Sequence, residues 1–188
     1  MNKIITTILL LTLVFIANAQ NSHLTFKGIE IDGACSEFVA KLEKEGYTVI
    51  LQNGDAVILS GKFAGEEVNV VVPSSPGEIV WKVAVFFEET DSWMKLKYDY
   101  DNFKKALTEK YGEGKSYEFF KAPYYEGDGY EITALQQEKC VYATFYETEK
   151  GSIVLELSKF KHLTINYEDN VNNEMRKQKR DQNYLKDL

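Results

Sequence analysis

The sequence has few of the residues from which catalytic and metal sites are usually built. Its 188 residues include two histidines, two cysteines and two tryptophans. His23 and His162 are each predicted in a strand, and neither belongs to a metal-binding spacing such as His-x-x-x-His. The histidine content therefore argues against a metal centre, and no cofactor is predicted.

Long apolar runs are also scarce, since only one occurs and it lies at the N-terminus. A charged start, Met1-Asn2-Lys3, precedes the apolar run Ile4 to Ile16 and the small-x-small cleavage site Ala17-Asn18-Ala19. The run is shorter than the roughly 20 residues that span a bilayer as a helix. Residues 1–19 are therefore predicted to be a signal peptide, and the mature chain is expected in the periplasm or outside the cell, without membrane insertion.

Positive charge is outweighed by negative charge. The chain has 22 Lys and Arg against 29 Asp and Glu, a formal net charge of -7. Loss of Lys3 with the signal peptide lowers this by one charge, to -8. An acidic chain of this kind is not expected to bind nucleic acid or an anionic membrane through general electrostatics.

The two cysteines and the many carboxylates give weak signals for chemistry. An even cysteine count in an exported chain permits a disulfide, but Cys35 is predicted on the buried face of a helix and Cys140 on the outer face of a strand, so both are expected to be free. A Cys140–His162 hydrolase pair lacks any third orienting group in the sequence. A glycosidase would need two carboxylates in one pocket, and nothing in the sequence indicates that pocket.

Hydrophobic periodicity divides the mature chain into two similar units. Residues 20–168 are predicted to be one α+β domain with repeats at about 23–88 and 98–168. Each repeat has one amphipathic helix, at about 34–45 and 101–111, followed by strands with hairpin connections. The predicted strands are 47–51, 56–63, 67–72 and 78–88, then 130–135, 140–147, 152–157 and 162–168.

The two helices resemble each other at an offset of 65 residues, where Phe38-Val39-Ala40-Lys41-Leu42 matches Phe103-Lys104-Lys105-Ala106-Leu107. Two tandem helix-plus-meander units in a small exported chain resemble the fold of the β-lactamase inhibitor protein and of outer-membrane-assembly lipoproteins. The resemblance covers residues 23–168 in element order only. It implies a curved antiparallel sheet with helices on one side and an open side for a protein partner, and it transfers no functional residue.

Strand alternation predicts which face of the sheet is covered by the helices. In the second unit the covered positions are predicted as Val141, Ala143, Phe145, Ile153, Leu155, Leu157, Leu163, Ile165 and Tyr167. The opposite, open face would then carry Tyr142 and Tyr146 among polar neighbours.

Aromatic residues form the strongest candidate binding feature. The segment 116–131 is rich in Tyr and Phe and is interrupted by Pro and Gly, so it is either a loop anchored on the core or an exposed binding surface. Trp93, before the second helix, has the same two interpretations. The candidate binding residues are Trp93, Phe119, Phe120, Tyr124, Tyr125, Tyr130, Tyr142 and Tyr146.

The C-terminal segment 169–188 is highly polar and is expected to form an exposed terminal helix. Together these features favour a non-enzymatic exported protein that binds another envelope or extracellular protein, as an inhibitor or as an assembly or scaffold factor. Glycan binding by stacked aromatic rings is the alternative, and an envelope hydrolase is a third.

Overall fold

The structure is a computed structural model that describes residues 23–74 and 79–187. The predicted signal peptide, residues 1–19, lies outside the described residues. The described chain opens with a short antiparallel hairpin formed by β1 (Thr25–Phe26) and β2 (Ile29–Glu30).

The first unit is one helix followed by four strands. Its helix buries Phe38, Val39 and Leu42, which recur at the spacing of one helical face. The chain leaves this helix through Gly46, whose φ of 91° lies in the left-handed region that glycine adopts without strain. The elements are α1 (Cys35–Lys44), β3 (Thr48–Gln52), β4 (Ala56–Phe63), β5 (Glu66–Pro73) and β6 (Lys82–Phe87).

The second unit repeats this order and carries an additional short helix between its first two strands. A C-terminal helix follows its last strand without a break. The elements are α2 (Trp93–Tyr111), β7 (Lys115–Phe120), α3 (Glu131–Gln136), β8 (Cys140–Glu147), β9 (Gly151–Leu157), β10 (Leu163–Asp169) and α4 (Asn170–Asp187).

The two meanders form one antiparallel sheet of eight strands in the order β3-β4-β5-β6-β10-β9-β8-β7. The last strand of each unit joins the halves, with Ile165 of β10 opposite Val85 of β6. Buried residues of α1 and α2, such as Leu42 and Leu96, share one core with the inner face of the sheet. This confirms the predicted fold class, in which tandem helix-plus-meander units pack their helices on one face.

Three elements differ from the sequence prediction. The helix predicted from residue 101 begins at Trp93, because the Ser92 side chain accepts a hydrogen bond from the Lys95 amide at 3.2 Å and caps the helix. The segment 116–131, predicted as an irregular connection, forms most of β7 before it becomes a loop. The strand predicted at 130–135 is helix α3, a run too short for periodicity to separate a helix from a strand.

The predicted facing of β8 was wrong, whereas that of β9 and β10 was right. Tyr146 is 1% exposed on the helix side, and its neighbour Phe145 is 37% exposed on the other. Hydrogen bonds of the side-chain hydroxyls explain why this face of β8 is the buried one. The Tyr146 hydroxyl donates to the Lys104 carbonyl of α2 at 2.9 Å, and the Thr144 hydroxyl forms a hydrogen bond with the Tyr100 hydroxyl at 2.7 Å. With their polar atoms satisfied, the tyrosine rings are favourable to bury.

A buried carboxylate joins both ends of the described chain. Asp169 accepts hydrogen bonds from the backbone amides of Leu24 at 2.7 Å and Asn172 at 2.9 Å, and it contacts His23 Nδ1 at 3.1 Å. The Asn172 side chain donates to the Val80 carbonyl at 3.0 Å. The first turn of α4 is therefore fixed to the segment that precedes β6 and to the N-terminal segment, while its later turns are mostly exposed.

Candidate functional site

The face of the sheet opposite α1 and α2 is the candidate site, and it is called the open face here. Its composition follows from the strand register. One row crosses all eight strands and consists of Leu51, Ile58, Val71, Ala84, Asn166, Val154, Phe145 and Lys115. Six of these eight residues are apolar, so an apolar band crosses a surface that the helices leave uncovered.

The adjacent row on the open face is more polar. It consists of Thr48, Ser60, Asn69, Phe86, Thr164, Glu156, Ala143 and Tyr117. At the β7 edge Tyr117 packs edge-to-face on Phe145, with ring centroids 5.8 Å apart. The first turn of α4 reaches one end of the face, where Asn173 donates to Glu168 at 3.4 Å.

Three of the predicted binding aromatics are exposed. Phe119 lies on β7 and points to the same side as Tyr117, and it is 43% exposed. Tyr125 and Tyr130, at 64% and 63%, lie in the loop between β7 and α3. Asp128 holds this loop, because its carboxylate accepts hydrogen bonds from the Tyr125 and Tyr130 amides at 3.1 and 2.7 Å.

Three other predicted aromatics are half-buried anchors. The Trp93 ring packs edge-to-face on Phe120 at 5.7 Å and on Tyr142 at 5.3 Å, so it staples the start of α2 to the sheet. Tyr124 packs against the core and donates to the Gln137 side chain at 3.0 Å. Of the two interpretations left open by the sequence, the core anchor describes Trp93, Phe120 and Tyr124.

The last two predicted aromatics are not accessible. Tyr142 and Tyr146 lie under α2, and burial raises the pKa of both phenols. Their place on the open face is taken by Tyr117 and Phe145, which the sequence interpretation missed. Alternation along β7 would have found Tyr117 and Phe119 on one side, had residues 115–120 been recognised as a strand.

A cleft lies between two strands where they diverge, and residues of the open face such as Ala143 and Glu156 contribute to its lining. Pairing between β8 and β9 stops at Ala143 and Glu156, although β8 extends back to Cys140. The resulting β8–β9 cleft has a volume of about 390 Å³. The more accessible residues of its lining are Val141, Glu156, Lys159 and Phe160, and the buried Leu135, Tyr142 and Leu157 lie behind them.

The rim of the β8–β9 cleft contains both free and paired charges. Glu156 accepts hydrogen bonds from Thr164 at 3.3 Å and Asn166 at 3.4 Å, both at Oε1. Lys159 is paired with Glu138 at 3.0 Å. Among residues 23–74 and 79–187, no lysine, arginine or histidine forms an ion pair with Glu156.

The residues with possible catalytic chemistry occupy structural positions. Burial and the nearby Glu126 and Glu131 raise the pKa of the Cys140 thiol to about 12, so it is protonated at neutral pH. Cys140 and Cys35 are both free thiols, and Cys140 faces the core and not the outer side that was predicted. Burial lowers the pKa of His162, whose ring lies between Phe86 and Phe160.

The described part of the chain contains no group of three or more His, Cys, Asp or Glu side chains placed to hold a metal ion. None of its helices is long and apolar enough to cross a membrane. No protein-family model, no curated protein and no solved structure matches this chain. The geometry of the open face is therefore the basis for a functional proposal.

Proposed function

We propose that this chain is an exported, non-enzymatic binding protein that recognises another protein through the open face and the exposed aromatics beside it. The observation that carries the proposal is the apolar row that crosses an uncovered sheet face. Leu51 at one edge is 50% exposed, and Phe145 lies near the other. Apolar side chains on an uncovered face of this width are typical of interaction surfaces.

The size of the open face supports a protein as partner. Eight strands about 4.8 Å apart span roughly 34 Å, and strands of about seven residues are roughly 24 Å long, so the face covers on the order of 800 Å². That area is about what one partner contributes to a standard protein–protein interface. The row of apolar side chains would form the centre of the interface, with the polar row and the loop tyrosines towards its rim.

The position of the aromatic residues supports the same assignment. Tyr117, Phe119 and Phe145 lie together at the β7 edge of the face, and aromatic residues are enriched among interface hot spots. The resemblance to the β-lactamase inhibitor protein in element order is in keeping with this proposal, because that fold also leaves one sheet face open.

Partner capture with matched variants tests the proposal. The mature chain is immobilised, envelope proteins are captured, and the dissociation constant of the recovered partner is measured by calorimetry. Leu51→Ala and Phe145→Ala should each weaken binding by about 2 kcal/mol, roughly 30-fold, as expected for hot spots. Tyr184→Ala is the control, since Tyr184 is an exposed aromatic on α4 and does not belong to the sheet.

Glycan binding by Tyr125 and Tyr130 is the competing function. Alanine variants of these tyrosines, compared with Leu51→Ala, distinguish glycan binding from protein binding. A glycan site would lose affinity with Tyr125→Ala or Tyr130→Ala and would be indifferent to Leu51→Ala. If a recovered protein partner binds all open-face and loop variants as tightly as the unmodified chain, the proposed surface is wrong.

A further inference from the structure

The β8–β9 cleft combines an apolar wall with an isolated carboxylate. The accessible apolar lining consists of the half-buried Val141 and the exposed Phe160, and the half-buried Glu156 also lines the cleft. The volume of about 390 Å³ is within the range of ligand-binding pockets. Such a site complements a group with an apolar stem and a positively charged end.

Glu156 differs from the other carboxylates on the open side of the strands because it is half-buried and has no cation. Glu147 of β8 also forms no ion pair within the described residues, but it is exposed. Glu67 pairs with Lys62 at 3.4 Å, and Glu168 pairs with Lys82 at 2.9 Å. Within the described residues Glu156 has only the two long hydrogen bonds to its Oε1, so Oε2 is left available. In the polar row that crosses the sheet, Glu156 is the one ionisable side chain other than Tyr117 at the edge.

The two lysines at the rim do not satisfy Glu156. Lys159 is bonded to Glu138, and the Lys121 ammonium donates to the backbone carbonyl of Glu138 at 3.4 Å. A half-buried carboxylate without a cation gains from binding one, because both hydrogen bonding and charge pairing then strengthen. Its position on the open face means that an incoming partner could supply that cation.

We propose that the protein partner inserts a lysine or arginine side chain into the β8–β9 cleft, with the methylene stem against Val141 and Phe160 and the charged end on Glu156. This inference rests on the proposed function, since it names the chemistry of the partner at the same face. Long cationic side chains routinely bury their stems along apolar surface while the charge finds a polar partner. The net charge of -7 attracts a cationic partner.

The test uses a blocked lysine and not an unidentified partner. Nα-acetyl-lysine methylamide is titrated into the full mature chain, and binding is followed by amide chemical shifts in NMR spectra. The uncharged norleucine analogue, which keeps the aliphatic stem, is titrated in parallel. The lysine probe should bind about five-fold more tightly, the upper range for a partly exposed ion pair, with the largest shifts at Ala143, Glu156 and Phe160.

Glu156→Gln should remove this preference while leaving the fold intact, because an amide oxygen can still accept from Thr164 and Asn166. Glu147→Gln is the matched control, since Glu147 is an exposed carboxylate of β8 outside the cleft; this variant should keep the preference. The proposal is overturned if the unmodified chain does not distinguish the two probes, if Glu156→Gln still does, or if the shifts lie elsewhere.

This experiment and the partner capture fail independently. A chain that captures its partner through Leu51 and Phe145 but ignores the lysine probe retains the proposed function and loses this inference. A chain that binds the lysine probe at Glu156 but whose partner is indifferent to every open-face variant loses the proposed function.

Discussion

The adjacent residues Phe145 and Tyr146 of β8 should differ sharply in how much unfolding free energy is lost when each is truncated to alanine. Tyr146 is fully buried and donates its hydroxyl to the Lys104 carbonyl. Truncation of a buried aromatic costs about 3 to 5 kcal/mol of unfolding free energy. Phe145 is more than one-third exposed and packs mainly on Tyr117. Partial loss of its burial and of one aromatic pair should cost about 1.5 kcal/mol.

Urea unfolding followed by tyrosine and tryptophan fluorescence measures the difference. A gap of about 2 kcal/mol corresponds to midpoints separated by roughly 1 M urea. Tyr146→Phe isolates the hydroxyl, whose bonds to Lys104 and to Thr108 at 3.2 Å should contribute about 1 to 2 kcal/mol. Equal losses for Phe145→Ala and Tyr146→Ala would refute the facing of β8 described above. The assignment of residues of β8 to the open face would then be wrong.

Three further results are expected. Asp169→Ala should lower the unfolding free energy by about 3 kcal/mol in chemical denaturation, because two backbone amides lose a buried carboxylate acceptor; an unchanged midpoint would contradict this. Gly61→Ala should cost about 1 to 3 kcal/mol, since a Cβ would lie 2.5 Å from Cδ1 of Tyr47, whereas Gly54→Ala, with open space around it, should be neutral within error. At pH 8 the native Cys140 thiol should be alkylated far more slowly than the half-buried Cys35, because a pKa raised from 9.0 to about 12 lowers the thiolate fraction of Cys140 about a thousand-fold. Mass spectrometry of iodoacetamide-treated protein measures the labelling of each cysteine. Comparable labelling of both would contradict this prediction.

Local patterns predicted those parts of the fold in which a single element determines its own burial. The recurrence of Phe38, Val39 and Leu42 is sufficient to define α1, because one helical face must be covered wherever the helix lies. Alternation in β9 and β10 pairs aliphatic residues with polar ones, so only one assignment of the faces is favourable. The order of helices and strands followed from these signals and from the glycine-containing turns.

Tertiary structure decided the elements whose two faces offer similar apolar area. In β8 the tyrosine face and the Val-Ala-Phe face are both candidates for burial, and the choice depends on acceptors that α2 supplies to the tyrosine hydroxyls. Residues 115–120 read as loop because Lys, Ser and Glu separate their aromatics, yet pairing along β8 makes them an edge strand. The local sequence of β8 does not reveal its contacts with α2, and the local sequence of residues 115–120 does not reveal their pairing with β8.

The candidate site likewise has one part that the sequence determined and one that it could not. Composition and the Gly- and Pro-broken segment indicated that the aromatics of residues 116–131 were either core anchors or an exposed surface, and the structure exposes Phe119, Tyr125 and Tyr130. The apolar row and the isolation of Glu156 depend on residues from different strands brought side by side by pairing. The sequence determines the conformation and the burial that each residue favours. Whether a charged side chain finds an ion-pair partner depends on residues that are distant along the chain and that only the tertiary structure brings near it.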